Sequence, residues 1–232
     1  MVGTALVVGG SSDIGRATAA VLAQDGHEVV LWGRNRERLT RARDAVVSSG
    51  GVAHAVPVDV TVRAELATAA RDLAGELRVV VWAAGVFDWA DADVADARVW
   101  ERLLDVNLTS AALTTRLLLP RLLDSAPSTL VYIGSGAARA AFAHNAAYVA
   151  SKHGLAGLAQ AVWLDVRDRG VKVSLVSPGL VAAGAGLASP AGMTHPELLL
   201  AAEDVAAAVR FVVGYSNRGC PTEIRLEPHH SG

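Results

Sequence analysis

Cysteine, lysine and long apolar runs are all scarce in this sequence, and each scarcity excludes something. The single cysteine, Cys220, rules out an internal disulfide or a cysteine-based metal site and is typical of a reducing compartment. No uninterrupted apolar run approaches the roughly 18 residues that a membrane-spanning helix needs. The first residues lead straight into a glycine turn and carry no positively charged leader, unlike a signal peptide. We therefore expect a cytoplasmic protein with no membrane partner.

A basic surface is also missing. Lysine and arginine total 21 and aspartate and glutamate total 23, so the net charge is −2, and the charges are scattered along the chain. This distribution excludes the basic stripe that nucleic acid requires. The histidines show no metal-ligand spacing, and the pair His229–His230 is too short to make a site, so we expect no metal. Lysine occurs only at Lys152 and Lys172, so a lysine within a motif carries weight.

The hydrophobic pattern predicts an α/β protein. Residues 1–232 suit a single domain, and a hydrophobic content of 52% provides ample core. Strands are predicted at Ala5–Val8, Glu28–Trp32, Ala53–Val58, Val79–Ala83, Thr129–Ile133, Val171–Ser177 and Glu223–Leu226. Helices are predicted at Ile14–Gln24, Arg36–Ser48, Arg63–Ala74, Ala97–Leu123, Ala147–Arg169 and Asp204–Val213. This alternation indicates a doubly wound, Rossmann-type parallel sheet of seven strands with helices on both faces.

One stretch breaks the alternation. Leu180–Pro196 is rich in alanine and glycine and follows the carboxyl end of a predicted strand, where such sheets bind ligands. We interpret residues 180–197 as a mobile substrate loop.

A glycine-rich segment joins the first strand to the first helix and is typical of a dinucleotide site. Glycine lets the backbone approach a pyrophosphate, and the free N–H groups at a helix start attract its charge. The expected contacts are Gly9, Ser11, Ser12, Asp13, Ile14 and Gly15. We interpret Asp13 chiefly as the helix N-cap, with the two serine hydroxyls contacting phosphate or ribose. A glycine turn alone is a weak signal, because many proteins end strands in this way.

The end of the second predicted strand bears on the choice of cofactor. NAD-selective sites place an acidic residue there, whereas this chain has Gly33 followed by Arg34. An arginine suits a 2′-phosphate through charge-assisted hydrogen bonds. We therefore favour NADP(H) over NAD(H), the alternative being that Arg34 is an ordinary surface arginine.

Tyr148 and Lys152 lie four residues apart on a predicted helix and so share a face. A free tyrosine has a pKa of about 10, and a nearby cation would lower that pKa toward a useful acid–base range. An ordinary exposed helix pair is the alternative, but with two lysines and three tyrosines in the chain a chance match is uncommon.

With these residues in view, the chain resembles the short-chain dehydrogenase/reductase family over nearly its whole length. The resemblance rests on Ser135 thirteen residues before Tyr148, on Asn107, and on short motifs at four strand ends. Those motifs are Asp59-Val60, Ala83-Ala84-Gly85, Pro178-Gly179 and the glycine turn. The implied catalytic set is Asn107, Ser135, Tyr148 and Lys152. The implied cofactor contacts further along the chain are Asp59, Val60, Ala84, Gly85, Tyr148, Lys152, Pro178, Gly179 and Val181.

The resemblance also implies roles. Tyr148 gives a proton to a carbonyl oxygen that Ser135 hydrogen-bonds, and Lys152 lowers the pKa of the tyrosine and holds the cofactor ribose. Asn107 positions a water that relays protons. The chain departs from the family pattern at Asp13, where the family has glycine, at Ala83, where it has asparagine, and at Ala183, where a threonine often stands. The last departure puts nicotinamide positioning in doubt.

Several functions fit these residues. We expect an NADP(H)-dependent oxidoreductase that interconverts a carbonyl and an alcohol, resembling a ketoreductase. The alternatives are a non-redox isomerase, dehydratase or cyclase on the same fold, and a protein that senses NADP(H) without turnover. The segments expected around the substrate, Val86–Trp89, Gly136–His144 and Leu180–Pro196, are small or apolar, which favours a neutral molecule of small to medium size.

Three aromatic residues, one histidine and the oligomeric state each allow more than one interpretation. Phe87, Trp89 and Trp163 suit an apolar pocket, core packing or a subunit interface. His144 is expected to be a loop histidine bonded to backbone rather than a substrate contact. The resemblance implies a homodimer or homotetramer formed through the two long helices.

Overall fold

The computed structural model describes residues 2–229. Its seven strands are β1 Thr4–Val8, β2 Glu28–Gly33, β3 Val52–Pro57, β4 Leu77–Trp82, β5 Ser128–Ile133, β6 Val171–Pro178 and β7 Glu223–Leu226. They form one sheet in the order β3-β2-β1-β4-β5-β6-β7, and every neighbouring pair is parallel. The predicted doubly wound Rossmann-type sheet is therefore confirmed, and each strand boundary lies within two residues of its prediction. The strand order reverses between β1 and β4, which is where such sheets bind ligands.

The helices cover both faces of the sheet. They are α1 Asp13–Gln24, α2 Arg36–Ser48, α3 Arg63–Asp72, α4 Ala97–Leu104, α5 Ser110–Asp124, α6 Ala146–Val166, α7 Pro190–Thr194 and α8 Ala202–Gly214. One apolar cluster packs a face of the sheet against α3, α5 and α6, and a second packs the other face against α1, α2 and α8. Side chains alternate within β1, so that Leu6 and Val8 join the first cluster while Ala5 and Val7 join the second.

The few aromatic residues serve partly as core. Trp32, Trp82 and Tyr132 are almost completely buried on the same face of the sheet, where each large ring removes much apolar area from water. Trp163 is partly buried against that cluster, and the Arg167 guanidinium lies 5.5 Å from the centre of its ring. Trp163 therefore contributes to core packing on one side, which is one of the alternatives that the sequence left open.

Two predicted elements differ from the structure. The helix predicted over Ala97–Leu123 is divided into α4 and α5 by a π-helical segment, Asp105–Thr109. The stretch Leu180–Pro196, predicted as a loop, contains the short helix α7, which begins after Ser189 and has proline at its first position. The Ser189 hydroxyl accepts a hydrogen bond from the Gly192 N–H at 3.0 Å, so this segment has local order of its own.

Candidate active site

The turn after β1 brings backbone very close to backbone. Gly9 has φ +86°, and a Cβ at this position would lie 2.5 Å from the Ala84 nitrogen at the end of β4. A Cβ on Gly15 would lie 2.2 Å from the Gly9 oxygen. Only glycine therefore fits at either position, and the start of α1 is held close to the crevice between β1 and β4.

The N-cap of α1 is Ser12, so the interpretation of Asp13 as the cap was wrong. The Ser12 hydroxyl accepts a hydrogen bond from the Gly15 N–H at 3.0 Å and donates one to the Gly9 oxygen at 2.8 Å. Serine and aspartate are both good caps, and here the turn places the serine hydroxyl at the helix start. Asp13 is instead the first helical residue, and its carboxylate forms an ion pair with Arg16. This pairing offsets a negative charge that would otherwise repel a pyrophosphate.

This turn fits the phosphates of a dinucleotide. The N–H groups of Asp13 and Ile14 lie in the first turn of α1, where no carbonyl of the helix is available to accept from them. Such groups attract anions. The Ser12 hydroxyl is engaged within the turn, so phosphate contacts from this residue would come from its backbone, whereas the Ser11 hydroxyl lies beside Gly33.

Arg34 and Asp59 lie together at the neighbouring strand ends. Arg34 Nη1 is 3.9 Å from Asp59 Oδ2, and the Arg34 side chain is 55% exposed. The other carboxylate oxygen of Asp59 accepts hydrogen bonds from the Thr61 N–H and hydroxyl. Val60 is buried against the core. The guanidinium therefore stands at the edge of the crevice with only a long ion-pair contact, and remains accessible to an anion.

Asn107 braces the segment that follows β4. This residue is completely buried in the π-helical segment. Its Oδ1 accepts from the Val86 N–H at 2.8 Å, and its Nδ2 donates to the Val86 oxygen at 2.9 Å and to Ser151 Oγ at 3.0 Å. Ser151 Oγ in turn donates to the Tyr148 carbonyl at 2.7 Å. The side chain therefore ties the end of β4 to α6; the expected water relay stays a prediction.

Tyr148, Lys152 and Ser135 come together at the carboxyl end of the sheet. Lys152 Nζ lies 5.7 Å from the centre of the Tyr148 ring and donates to the Ile133 carbonyl at 3.1 Å. A Cβ on Gly85 would lie 3.8 Å from this nitrogen, so the ammonium also faces the end of β4. Ser135 stands just after β5, and its hydroxyl accepts from the Ala137 N–H at 3.2 Å.

Burial dominates the acid–base properties of this group. It raises the pKa of Tyr148, and a hydrogen bond with Ser135 acts in the opposite direction. Burial also lowers the pKa of Lys152 to about 8, because the ammonium has lost its water. The net shift of the Tyr148 pKa is therefore upward, opposite to the lowering expected from the neighbouring Lys152, because burial dominates. Both groups are shifted toward their neutral forms.

The end of β6 lies at the same carboxyl edge of the sheet. Pro178 is buried, and the Gly179 N–H donates to the Leu226 carbonyl at 2.7 Å. Val181 is 7% exposed and belongs to the core cluster on the α8 face. Any contact from Val181 to a cofactor would therefore come from its backbone.

Two contacts near Tyr148 escaped the sequence analysis. His144 Nδ1 bonds to the Asp91 carboxylate, so the expectation of a backbone partner for this side chain was wrong. The backbone of His144 has φ 60°, and its carbonyl accepts from the Ala90 N–H at 2.9 Å. Phe87 packs edge-on against the Tyr148 ring with centroids 4.9 Å apart. No local sequence pattern predicts the contact between Asp91 and His144, because these residues lie 53 positions apart in the chain.

Within residues 2–229, no group of three or more His, Cys, Asp or Glu side chains is placed to hold a metal ion. His230 lies outside the described residues, so the structure says nothing of the His229–His230 pair. The helices of the described chain include none with the length and apolarity to cross a membrane.

Comparison with known proteins identifies the family. Residues 3–190 match the family model of the short chain dehydrogenases. The chain is 31% identical over 196 residues to a 2-(S)-hydroxypropyl-CoM dehydrogenase of Xanthobacter autotrophicus, covering 83% of this chain and 77% of that one. It is also 30% identical to a cyclohexanol dehydrogenase of an Acinetobacter species, covering 76% of this chain and 72% of that one.

A solved structure agrees over nearly the whole chain. A metagenomic short-chain oxidoreductase in complex with NADP superposes with a TM-score of 0.84 at 28% identity, covering 98% of this chain and 97% of that one. The chain belongs to the short-chain dehydrogenase/reductase family and is an NAD(P)-dependent oxidoreductase acting on alcohol and carbonyl groups.

Proposed function

We propose that this protein is an NADP(H)-dependent, ketoreductase-like enzyme that interconverts a carbonyl and an alcohol on a neutral substrate of small to medium size. The observation that carries the proposal is the meeting of Tyr148, Ser135 and Lys152 beside the glycine turn. Lys152 Nζ is 5.7 Å from the centre of the Tyr148 ring, and Ser135 hydrogen-bonds Tyr148. A phenol, a hydroxyl and an ammonium around one point suit proton transfer to an oxygen on which negative charge develops.

The roles of the side chains follow from their chemistry. A bound nicotinamide would supply hydride to the carbonyl carbon. Tyr148 donates its proton to the carbonyl oxygen, and the Ser135 hydroxyl donates a hydrogen bond to the same oxygen. Lys152, while charged, stabilises the phenolate that Tyr148 becomes. Asn107 positions this group through its hydrogen bonds, and a water near it would return protons through Lys152.

The residues that would hold the cofactor surround the crevice. The turn residues Gly9 to Gly15 would receive the pyrophosphate, and Asp59 and Val60 the adenine. Ala84 and Gly85 would line the crevice at the end of β4, and Pro178, Gly179 and the Val181 backbone would stand at the nicotinamide face. The substrate would bind beneath the loop formed by residues 180–197. We assign both the cofactor site and the substrate site to one domain spanning residues 1–232.

Arg34 supports the preference for NADP(H). The side chain follows Gly33 at the end of β2, is more than half exposed, and makes only a 3.9 Å contact to Asp59. A guanidinium so placed suits a 2′-phosphate. The related metagenomic structure contains NADP. Arg34→Ala should therefore weaken NADPH binding by about 10- to 100-fold, equivalent to roughly 1.4–2.8 kcal/mol, and barely affect NADH; equal losses for both cofactors would contradict this role.

Tyr148 provides the test of the reaction. Tyr148→Phe removes only the phenolic hydroxyl, so NADPH-dependent reduction of ketones and aldehydes should fall by about 10²- to 10⁴-fold while NADPH binding persists. Tyr215→Phe, the same change at a surface position, should leave the rate unchanged. Product that forms without net NADPH oxidation would favour an isomerase, dehydratase or cyclase instead.

The setting of the enzyme completes the proposal. We expect cytoplasmic localisation, because the single cysteine suits a reducing compartment. We also expect a homodimer or homotetramer that buries helices α4, α5 and α6. Sedimentation that finds only 24 kDa species at micromolar concentration would overturn the oligomer.

A further inference from the structure

Four neighbouring rings form a chain of contacts that includes Tyr148 and is called the aromatic wall: Phe87, Trp89, His144 and Tyr148. Phe87 meets the Tyr148 ring edge to face, with centroids 4.9 Å apart and planes at 75°. Trp89 lies 6.2 Å from Phe87 and 5.6 Å from His144, measured between ring centroids. The wall therefore begins at the catalytic phenol and extends outward from it.

The wall is exposed rather than part of the core. Phe87 is 39% exposed and Trp89 is 59% exposed, although aromatic side chains of this size gain most from burial. Both stand in the segment that Asn107 holds through Val86. Core packing, one explanation that the sequence left open for these rings, is excluded by this exposure.

The wall is also held in place at both of its segments. The segment after β4 and the segment before α6 are joined by the hydrogen bond from the Ala90 N–H to the His144 carbonyl. A second link is the hydrogen bond between the Asp91 carboxylate and His144 Nδ1. Two connections between the segments preorganise the rings, so a ligand that lies against them does not have to order them first.

The charges of the wall segments, and of the loop expected near the substrate, disfavour an anionic ligand. Residues 86–96 contain Asp88, Asp91, Asp93 and Asp96 but no lysine or arginine, and residues 180–197 contain no lysine or arginine. In the segment 136–145 the one cationic arginine, Arg139, binds Glu223 through two hydrogen bonds. A phosphate, sulfonate or carboxylate on the substrate would meet acidic side chains here and find no uncommitted guanidinium.

We propose that the substrates are neutral carbonyl compounds and alcohols that carry a planar aromatic ring next to the reacting carbon, and that the ring lies against Phe87 and Trp89. This inference rests on the proposed function, since it takes Tyr148 as the proton donor. With the carbonyl oxygen at Tyr148, a substituent on the carbonyl carbon would lie within reach of Phe87, which packs against the Tyr148 ring. The faces of the Phe87 and Trp89 rings carry partial negative charge, which attracts the partly positive edge of a second aromatic ring. A saturated ring has no such edge and gains less from this contact.

The test compares acetophenone with cyclohexyl methyl ketone, which has a saturated ring of the same size. The measured quantity is the ratio of kcat/KM for the two ketones, and comparing this ratio between variants cancels their intrinsic reactivities. Phe87→Leu and Trp89→Leu should each lower the ratio by about 2- to 10-fold. Phe211→Leu changes an exposed phenylalanine elsewhere on the chain and should leave the ratio unchanged. A ratio that is the same in the wild type and in both wall variants overturns the proposal.

Charge provides a second readout. The anionic 4-acetylbenzoate should be reduced at least tenfold less efficiently than acetophenone, and equal efficiency would contradict the neutral substrate class. If neither ketone is turned over, the proposed reaction is wrong for neutral ketones of this size. The aromatic wall is then tested by ligand binding alone. Calorimetric titration of the NADP⁺-saturated protein should then show 1-phenylethanol binding more tightly than 1-cyclohexylethanol. Loss of that difference in Phe87→Leu supports the wall, and no difference in the wild type refutes it.

Discussion

Asn107→Ala is the change whose cost can be worked most directly from the structure. The substitution removes three hydrogen bonds, two to the backbone of Val86 and one to Ser151 Oγ. Val86 is partly exposed and regains some water, whereas Ser151 is completely buried but keeps the Tyr148 carbonyl as a partner. About 1 kcal/mol for each lost bond gives a loss of about 3 kcal/mol in the free energy of unfolding.

Thermal unfolding measures this loss. For a chain of this size, each kcal/mol shifts Tm by roughly 2–4 °C, so Asn107→Ala should unfold about 6–12 °C below the wild type. The matched control is Asn35→Ala, which removes a single exposed N-cap bond to the Arg38 N–H and should cost only about 1 kcal/mol, or 2–4 °C. Ketone reduction should fall by about 10- to 100-fold in Asn107→Ala alone, since Val86 leads into the segment beside Tyr148.

Equal melting temperatures for the two asparagine variants would refute the reasoning. They would mean that the buried amide network contributes no more than a surface cap. A normal melting temperature combined with lost activity would instead assign Asn107 a direct role in proton transfer.

The remaining predictions concern acidity and the glycine turn. The kcat/KM for ketone reduction should fall as the pH rises through about 8, because Lys152 loses the charge that stabilises the Tyr148 phenolate. The Lys152→Met variant should have a low rate without this inflection. A wild-type profile that is flat from pH 7 to 9.5 would contradict the electrostatic role of Lys152. Gly9→Ala should abolish NADPH binding in a calorimetric titration, because its Cβ would lie 2.5 Å from the Ala84 nitrogen. Gly50→Ala shares the φ of +86° but has nothing within 4 Å of the new Cβ, so it should retain binding; equal binding by both variants would show that close approach is not what the turn requires.

The sheet was predictable because its signals are local and redundant. Most strands are short apolar runs bounded by turns, and β1 and β4 are buried on both faces, as a sheet covered by helices demands. Tyr148 and Lys152 were predictable for a similar reason, since helical spacing alone places them on one face. Where two neighbouring residues are equally good caps, as Ser12 and Asp13 are, propensity does not decide, and the geometry of the turn does.

Features that depend on distant parts of the chain were beyond the sequence. The π-helical segment around Asn107 cannot be anticipated from helical periodicity, since it accompanies hydrogen bonds to Val86, 21 residues earlier. The Asp91–His144 pair joins two segments without periodicity. Both interactions exist only because the ends of the parallel strands meet at the same edge of the sheet.

The upward shift of the Tyr148 pKa shows how burial can outweigh the effect of a nearby cation. The cation that the sequence places near the phenol is itself buried and bonded to the Ile133 carbonyl, so its own pKa falls to about 8. Burial acts on the phenol as well and raises its pKa. Near pH 8 the tyrosine therefore holds its proton while the lysine is about half charged. A protonated phenol is the form that reduction of a carbonyl consumes, whereas alcohol oxidation must begin from the phenolate. We therefore expect alcohol oxidation to require a higher pH than carbonyl reduction.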